Sequence, residues 1–337
     1  MDFSPEPSQQ AVADVVNSVL DRDMSWAALV SGGVTTLGLP DRLGGDGVGL
    51  LEIASALTEI GRRGMASPAL STLGLGLLPL LALADEAQQD RYFDGVAEGS
   101  ILTAAINEPG ASLPDRPATT LTDGRLNGIK IAIPYAEQAT WMVVTADDAV
   151  AVVSPRAHGV RLTGTPTSSG ADECTAEFSD VAVDAVFDGA IPRRVNELAL
   201  AACGAHASGL VAGALRLTAD YVASRHQFGR PLSTFQTVAA QLAEVYIASR
   251  TLGLVAASVI WRLSEGLDAD SDLDVLSYWL TSQAPPAMQT CHHLHGGIGM
   301  DVTYPMHRYY SSIKDMTRWL GGAAHCLDLV GAQCISS

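Results

Sequence analysis

Within the stretch SRHQFGRPLSTFQ, residues 224–236, Arg225, Gln227 and Phe228 bring a guanidinium, an amide and an aromatic ring together. Displayed on one side, they suit a ligand with charged phosphates and a flat ring, because a guanidinium offers paired N–H donors to phosphate oxygens. Gly229 and Pro231 are breakers, so a helix arriving at Arg225 should stop and a new segment should begin after Leu232. The three side chains would then face a loop. Three residues make a short motif, and an ordinary corner between two helices reads the same way.

The elements that would carry this corner follow from hydrophobic periodicity. Leu210, Ala214, Leu217 and Tyr221 form one apolar stripe on the helix that ends at Arg225. The next helix is predicted over about 235–263, with Val238, Leu242, Val245, Leu252 and Val259 on its apolar side. Ser233 and Gln236 match the S-x-x-Q capping pattern at its start. A later helix crosses Pro285 and Pro286, which should kink or split it.

Earlier in the chain the period changes. In residues 6–99 the apolar positions mostly recur at helical spacing, with turn clusters at 31–33 and 41–49. From 101 to about 192 the texture becomes short runs rich in valine and threonine, such as TWMVVTA and AVAVVS, with turn signals at Asp123-Gly124 and Asn127-Gly128. The predicted order is helical, β, helical.

Composition excludes several classes. The 337 residues suffice for two or three domains, and 47% apolar against 17% charged residues predicts a surface partly covered by other subunits. A net charge of -17 argues against nucleic acid or anionic membranes as general partners, so a phosphate site must be a local basic spot. Cys174, Cys203, Cys291, Cys326 and Cys334 are scattered without CxxC spacing, which fits reduced thiols in a cytoplasm. The start, MDFSPEPSQQ, lacks the pattern of a secretory signal. The apolar window 70–84 is too short for a membrane span and contains Pro79, so it reads as a core helix. His292, His293 and His295 with Asp301 are a poor ligand set, and no metal is expected. Arg308 and Lys314 read as a solvated face, with a phosphate contact as the other option; Trp261, Trp279 and Trp319 read as core or interface anchors.

The domain order and the opening stretch resemble the acyl-CoA dehydrogenase family over nearly the whole chain. Arg225, Phe228, Gly229 and Gln236 stand at the positions of that family's Arg-x-x-Phe-Gly and following Gln. HLHGGIGM at 293–300 is similar to its Gln-x-x-Gly-Gly-x-Gly segment, LPDRLGGDGVGLLE at 39–52 to its first-domain Gly-Gly turn, and INEPGAS at 106–112 to its Thr-Glu-Pro flavin strand. The resemblance implies an α+β fold with a shortened N-terminal helical domain (1–100), a middle β-barrel or sandwich domain (101–192) and a C-terminal four-helix bundle (193–337). It also implies FAD lying between subunits. Arg225 would pair with the pyrophosphate of an FAD held mainly by a neighbouring subunit, with Gln227 and Phe228 near its adenosine half. Gln236 is either a cofactor contact or only the capping partner of Ser233. Gly296 and Gly297 would let backbone approach the cofactor, and His293, where the family has glutamine, keeps one hydrogen-bond donor.

Departures from the family pattern matter as much. The family's proton-abstracting glutamate falls on Leu320, and its alternative position, on the helix before Arg-x-x-Phe-Gly, falls on Ala199. Glu197 lies two residues away, a slip that would rotate a helical side chain by roughly 200°. In GIKIAIPY, 128–135, Ala132, Pro134 and Tyr135 occupy the places of the tryptophan, threonine and asparagine beside the flavin, and Asn107 replaces the threonine of the other flavin strand. No catalytic residue is therefore expected in this chain, which would lend groups to a partner's FAD while lacking those for its own.

This pattern is similar to the short subunits of heteromeric acyl-CoA dehydrogenases of actinobacterial steroid side-chain catabolism. The resemblance implies an α2β2 complex with a longer homologous subunit carrying the catalytic glutamate, a steroid-CoA substrate such as a pregnene-carboxyl-CoA, and electron-transfer flavoprotein as acceptor. Two alternatives stay open: a self-sufficient homo-oligomer using Glu197 as base, and a non-redox CoA-thioester binding or scaffold protein.

Overall fold

The computed structural model describes residues 4–189 and 191–336; Met1 to Phe3 and the Cys334 side chain, both used in the sequence reading, lie outside the described residues. The chain opens with helices α1 (Pro7–Arg22), α2 (Trp26–Ser31) and α3 (Leu50–Arg62). Ser25 caps α2 by accepting the Ala28 N–H. Within the window 70–84, residues 71–80 are buried as predicted, but Leu70–Leu77 wind as a π-helix before α4 (Leu78–Leu83). Gly76 permits its close approach to the first strand, since a Cβ there would lie 2.3 Å from the Leu102 Cβ. Helix α5 (Glu86–Tyr92) starts with a reciprocal capping box between Asp85 and Gln88.

Eight strands follow: β1 (Ile101–Ala105), β2 (Thr120–Thr122), β3 (Arg125–Pro134), β4 (Ala139–Ala146), β5 (Ala149–Val153), β6 (Val160–Gly164), β7 (Glu173–Ala182) and β8 (Ala185–Asp188). They form two four-stranded sheets, in the orders β1-β4-β5-β8 and β2-β3-β7-β6. Met142, Val144 and Val153 from the first sheet share a core with Leu126, Ile133 and Phe178 from the second, which makes the β region a sandwich. Asp123 and Gly124 form the expected two-residue turn between β2 and β3, both at positive φ. Asn127-Gly128 does not turn the chain. It lies inside β3 at a register shift against β7, where Asn127 Oδ1 accepts the Asp180 N–H and Gly128 leaves room for Thr119.

The chain then returns to helix with α6 (Ile191–Ser224), a two-residue hairpin of β9 (His226–Gln227) and β10 (Arg230–Pro231), then α7 (Gln236–Ser264), α8 (Asp270–Ser282), α9 (Ala284–His295), α10 (Met306–Trp319) and α11 (Gly322–Ser336). The architecture is helical, β, helical, as the hydrophobic period predicts. Pro285 and Pro286 split the predicted helix into α8 and α9. Ser233 does not cap α7. It lies in a 3-10 turn over Leu232–Thr234, and the cap position is Phe235, which supplies no side-chain hydrogen bond. The tight hairpin moves the helix start two residues beyond the S-x-x-Q match.

By backbone packing the described residues group into two compact units, one of 7–56 with 67–203, the other of 4–6, 57–66 and 204–336. In the second unit, the end of α3 meets α6 backbone to backbone. A Cβ on Gly209 would lie 2.0 Å from the Thr58 carbonyl oxygen, and one on Gly61 2.2 Å from that of His206. Gly209→Ala should therefore destabilise the fold by about 3 kcal/mol, read as a lowered urea midpoint at unchanged m-value. A loss below about 0.5 kcal/mol would show that the helices separate freely. His206 lies in the same junction, its Nδ1 3.1 Å from the Leu57 carbonyl oxygen, and burial lowers its pKa to about 4.

Among the described residues, two helices, 192–224 and 236–264, are long and apolar enough to cross a membrane. The most apolar stretch of the first is mostly buried in the fold, whereas that of the second is mostly not, and the second exposes Tyr246, Ile247 and Leu254. Both exceed the window 70–84 in length.

Candidate functional site

The hairpin after α6 determines how the opening motif is displayed. Phe228 and Gly229 sit at φ 53° and 79°, the backbone of a type I′ turn, and Gln227 pairs with Arg230 across it. Phe228 is thereby pushed out to 91% exposure. Arg225 follows the last turn of α6, its N–H donating to the Tyr221 carbonyl at 2.8 Å and its own carbonyl accepting from Leu232 N–H at 2.8 Å. These bonds hold its backbone and leave the exposed guanidinium with no partner among the described residues. Gln227 and Gln236 are exposed as well. Phe235 organises the base of the hairpin, with the Arg230 guanidinium 4.1 Å from its ring centre and the Phe228 ring edge-on at 6.2 Å.

A second predicted segment lies at the end of α9. Gly296 caps that helix at φ 60°, and the chain continues as a 3-10 turn, Gly296–Met300. A Cβ on Gly296 or Gly297 would meet nothing within 4 Å, so the backbone there is open to an approaching ligand. His293 is exposed beside it, whereas His295 is buried. The two segments are joined within the C-terminal unit, because the His295 ring stacks on Tyr221 with centroids 4.7 Å apart and an interplanar angle of 23°. Among the described residues no group of three or more His, Cys, Asp or Glu has metal-site geometry. An exposed guanidinium, an exposed aromatic ring and open glycine backbone have the chemistry that the adenosine diphosphate part of FAD would need.

The strands that resemble a flavin-ring site make different use of their polar groups. Asn107 Oδ1 accepts the Leu113 N–H at 2.8 Å. The Pro134 carbonyl accepts from Thr103 Oγ1 at 2.6 Å and from Ser71 Oγ at 3.3 Å. Ala132 and Tyr135 lie at φ 55° and 54°, and a register shift against β7 falls between Lys130 and Ile133. Burial, reinforced by Asp172, pushes the Tyr135 hydroxyl up to about 12, so it stays neutral. Beneath this strand Lys130 and Glu108 form a buried ion pair at 2.8 Å.

The positions considered for a base are apolar or engaged. Leu320 and Ala199 are both buried. Glu197 sits in the first turns of α6, with Oε1 3.3 Å from Arg193 and Oε2 3.0 Å from Arg194.

Residues 6–100 match the family of acyl-CoA dehydrogenase N-terminal domains and residues 198–334 that of the C-terminal domains. The chain belongs to the acyl-CoA dehydrogenase family. It is 69% identical over 337 residues to acyl-CoA dehydrogenase FadE28 of Mycobacterium tuberculosis, covering 99% of both chains. Among solved structures it is similar to a chain of the ChsE4-ChsE5 complex from Mycobacterium tuberculosis, with a TM-score of 0.91 at 27% identity and all of both chains covered. A chain of a Tcur3481-Tcur3483 steroid ACAD variant also gives a TM-score of 0.91, at 28% identity over 98% of this chain and 99% of that one.

Sequence reasoning missed three features of the site. Arg230, between the breakers Gly229 and Pro231, carried no sequence signal, although its guanidinium lies over the Phe235 ring. Lys130 and Glu108 are 22 residues apart and carry no local signal of pairing. The stack of His295 on Tyr221 joins residues distant in the chain, and an aromatic stripe residue facing a histidine-rich helix end was its one trace.

Proposed function

We propose that this chain is the noncatalytic subunit of a heteromeric, FAD-dependent acyl-CoA dehydrogenase. When bound, FAD would accept the hydride released from the β carbon of an acyl-CoA as a base removes the α proton. Arg225 would hold the pyrophosphate, Gln227 and Phe228 the adenosine side, and the Gly296-Gly297 backbone the remaining edge, with His293 and Gln236 at the rim. The observation that carries this reading is the unpartnered guanidinium of Arg225, displayed outward by a turn that also exposes Phe228.

The partner would be a longer homologous subunit that supplies the catalytic glutamate and the flavin-ring strand, in an α2β2 assembly. Apolar Leu320 and Ala199, the doubly paired Glu197 and the occupied Pro134 carbonyl favour this over a self-sufficient enzyme. The exposed Tyr246, Ile247 and Leu254 on α7 supply an apolar face for that partner. Similarity to subunits of two-chain complexes, one described as a steroid ACAD, supports a steroid-CoA substrate. A pregnene-carboxyl-CoA fits the class, with electron-transfer flavoprotein as acceptor and the cytoplasm as location.

Visible spectra test the proposal. The chain purified alone should lack flavin bands, and the chain co-expressed with its longer homologue should show about one FAD per pair of chains. Stoichiometric flavin in the isolated chain would overturn the shared site and redirect attention to Glu197→Gln. An FAD-free complex with full thioester binding would favour a scaffold.

A further inference from the structure

The two segments assigned to the cofactor come from different parts of the chain, one after α6 and one after α9, yet a shared phosphate-and-ring ligand requires a set spacing between them. One buried side chain, His295, touches both sides of that gap. His295 is 2% exposed and immediately precedes Gly296. Its ring stacks on Tyr221 at 4.7 Å, and Tyr221 offers the carbonyl that receives the Arg225 N–H at 2.8 Å. On another side the ring meets Tyr304 at 5.2 Å, tilted by 56°, in the loop that leads into α10. Nδ1 lies 2.8 Å from the Cys291 carbonyl oxygen and must carry the ring proton toward it. Nε2 is left as a buried lone pair with no hydrogen-bond partner.

We infer that His295 is a positioning residue, whose neutral ring, wedged between Tyr221 and Tyr304, couples the Arg225 hairpin to the Gly296-Gly297 turn so that both meet one FAD. This inference rests on the shared-site reading. Each ring contact is modest, but together they connect three segments that no other aromatic stack among the described residues joins.

The wedge is sensitive to protonation. Adding a proton to Nε2 would place a charge in a slot lined by tyrosine rings and without an acceptor. Burial holds the His295 pKa below its usual 6.5; the nearby His292 acts in the same direction and the Cys291 carbonyl opposes it. The ionisable groups around it are Cys291 and His292 on α9, Tyr221 and Asp220 at the end of α6, Tyr304 in the following loop, and His307 and Asp301 beyond, next to His292 and Thr303. Since the native pKa is depressed, the ordered junction is fully present above about 6.5 and is lost as pH falls through the lower native value.

The test measures FAD affinity of the purified two-subunit complex, by flavin retention and by titration of free FAD, between pH 8 and pH 5. Wild type should bind well at pH 7.5 and progressively more weakly as pH falls through the native value of His295, and His295→Ala should be about tenfold weaker at pH 7.5. His295→Phe, which keeps a flat ring and cannot titrate, should restore affinity at pH 7.5 and remove the acid loss that His292 and His307 would leave in place. Arg225→Ala runs in parallel. If Arg225→Ala weakens FAD while both His295 variants keep the wild-type affinity and pH profile, the positioning role fails and the shared site stands. Unchanged FAD binding in Arg225→Ala would overturn both. If His295→Phe keeps the wild-type acid loss, the titrating group is another and the inference fails.

Discussion

Arg225→Ala should strip FAD from the purified two-subunit complex, raising its Kd about a hundredfold while leaving the complex assembled. Hydrogen bonds from a guanidinium to charged oxygens contribute ~1.5–3 kcal/mol, and a fork-shaped donor makes two of them with one oriented group. A loss of about 3 kcal/mol is about a hundredfold in Kd. Stability should barely change, because the Arg225 side chain has no hydrogen bond or ion pair among the described residues and its backbone bonds to Tyr221 and Leu232 survive the substitution. Arg225→Lys should recover part of the affinity, since an ammonium keeps the charge and loses the fork. The chain's net charge of -17 makes such a local cation matter more for an anionic ligand, and the loss should shrink at high salt. A complex that keeps its flavin bands in Arg225→Ala would remove the main support for a shared cofactor.

Lys130→Met should destabilise the β unit by about 4 kcal/mol, because removing one member of a buried pair leaves an uncompensated charge. Lys130 is fully buried and Glu108 nearly so, with Nζ and Oε1 2.8 Å apart. Nζ also donates to the Ile106 carbonyl and to Thr145 Oγ1, both at 3.0 Å. Glu108 accepts the N–H groups of Ala118 and Thr119 and the Thr119 hydroxyl, so it anchors 118–119 to the strand that leads from β1. Burial by itself would raise the Glu108 pKa, but the Lys130 ammonium and these donors outweigh it and hold it below the usual 4.5. Burial pulls Lys130 down to about 8 against the opposing pull of Glu108.

The sign for Glu108 follows from its depressed native pKa. Its contribution is present above about 4.5 and is lost as pH falls through the native value. In Lys130→Met the acid limb of the stability curve should move to higher pH. For Lys130, the depressed native pKa means the unfolded chain binds more protons between about 8 and 10.5, so its linkage favours folding as pH rises through that window. Urea unfolding across pH measures both effects. The double variant Glu108→Gln with Lys130→Met should cost less than the sum of the single changes. A Lys130→Met loss under 1 kcal/mol would show that water reaches the pair.

Local chemistry carried much of this protein in its sequence. Gly229 and Pro231 announced the end of α6, Asp123-Gly124 the turn between β2 and β3, and Pro285-Pro286 the break between α8 and α9, because φ preferences and a missing N–H act within a few residues. Local patterns that compete with neighbours in space misled the same reading. Asn127-Gly128 stays in a strand because Thr119 and Asp180 from elsewhere occupy its surroundings, and Ser233 loses its cap to the 3-10 turn that follows the hairpin. The π-helix at Leu70–Leu77, which brings Gly76 close against Leu102, is likewise not encoded in periodicity. At the candidate site, residue identity named Arg225, Gln227, Phe228 and the paired glycines, since guanidinium, amide, ring and bare backbone are properties of single residues. Their arrangement came from tertiary contacts: a positive φ at Phe228 that turns its ring outward, a clamp of Arg230 on Phe235, and a His295 wedge between Tyr221 and Tyr304. Spacing along a chain specifies which groups exist, but the distance between two helix ends is set by the side chains packed between them.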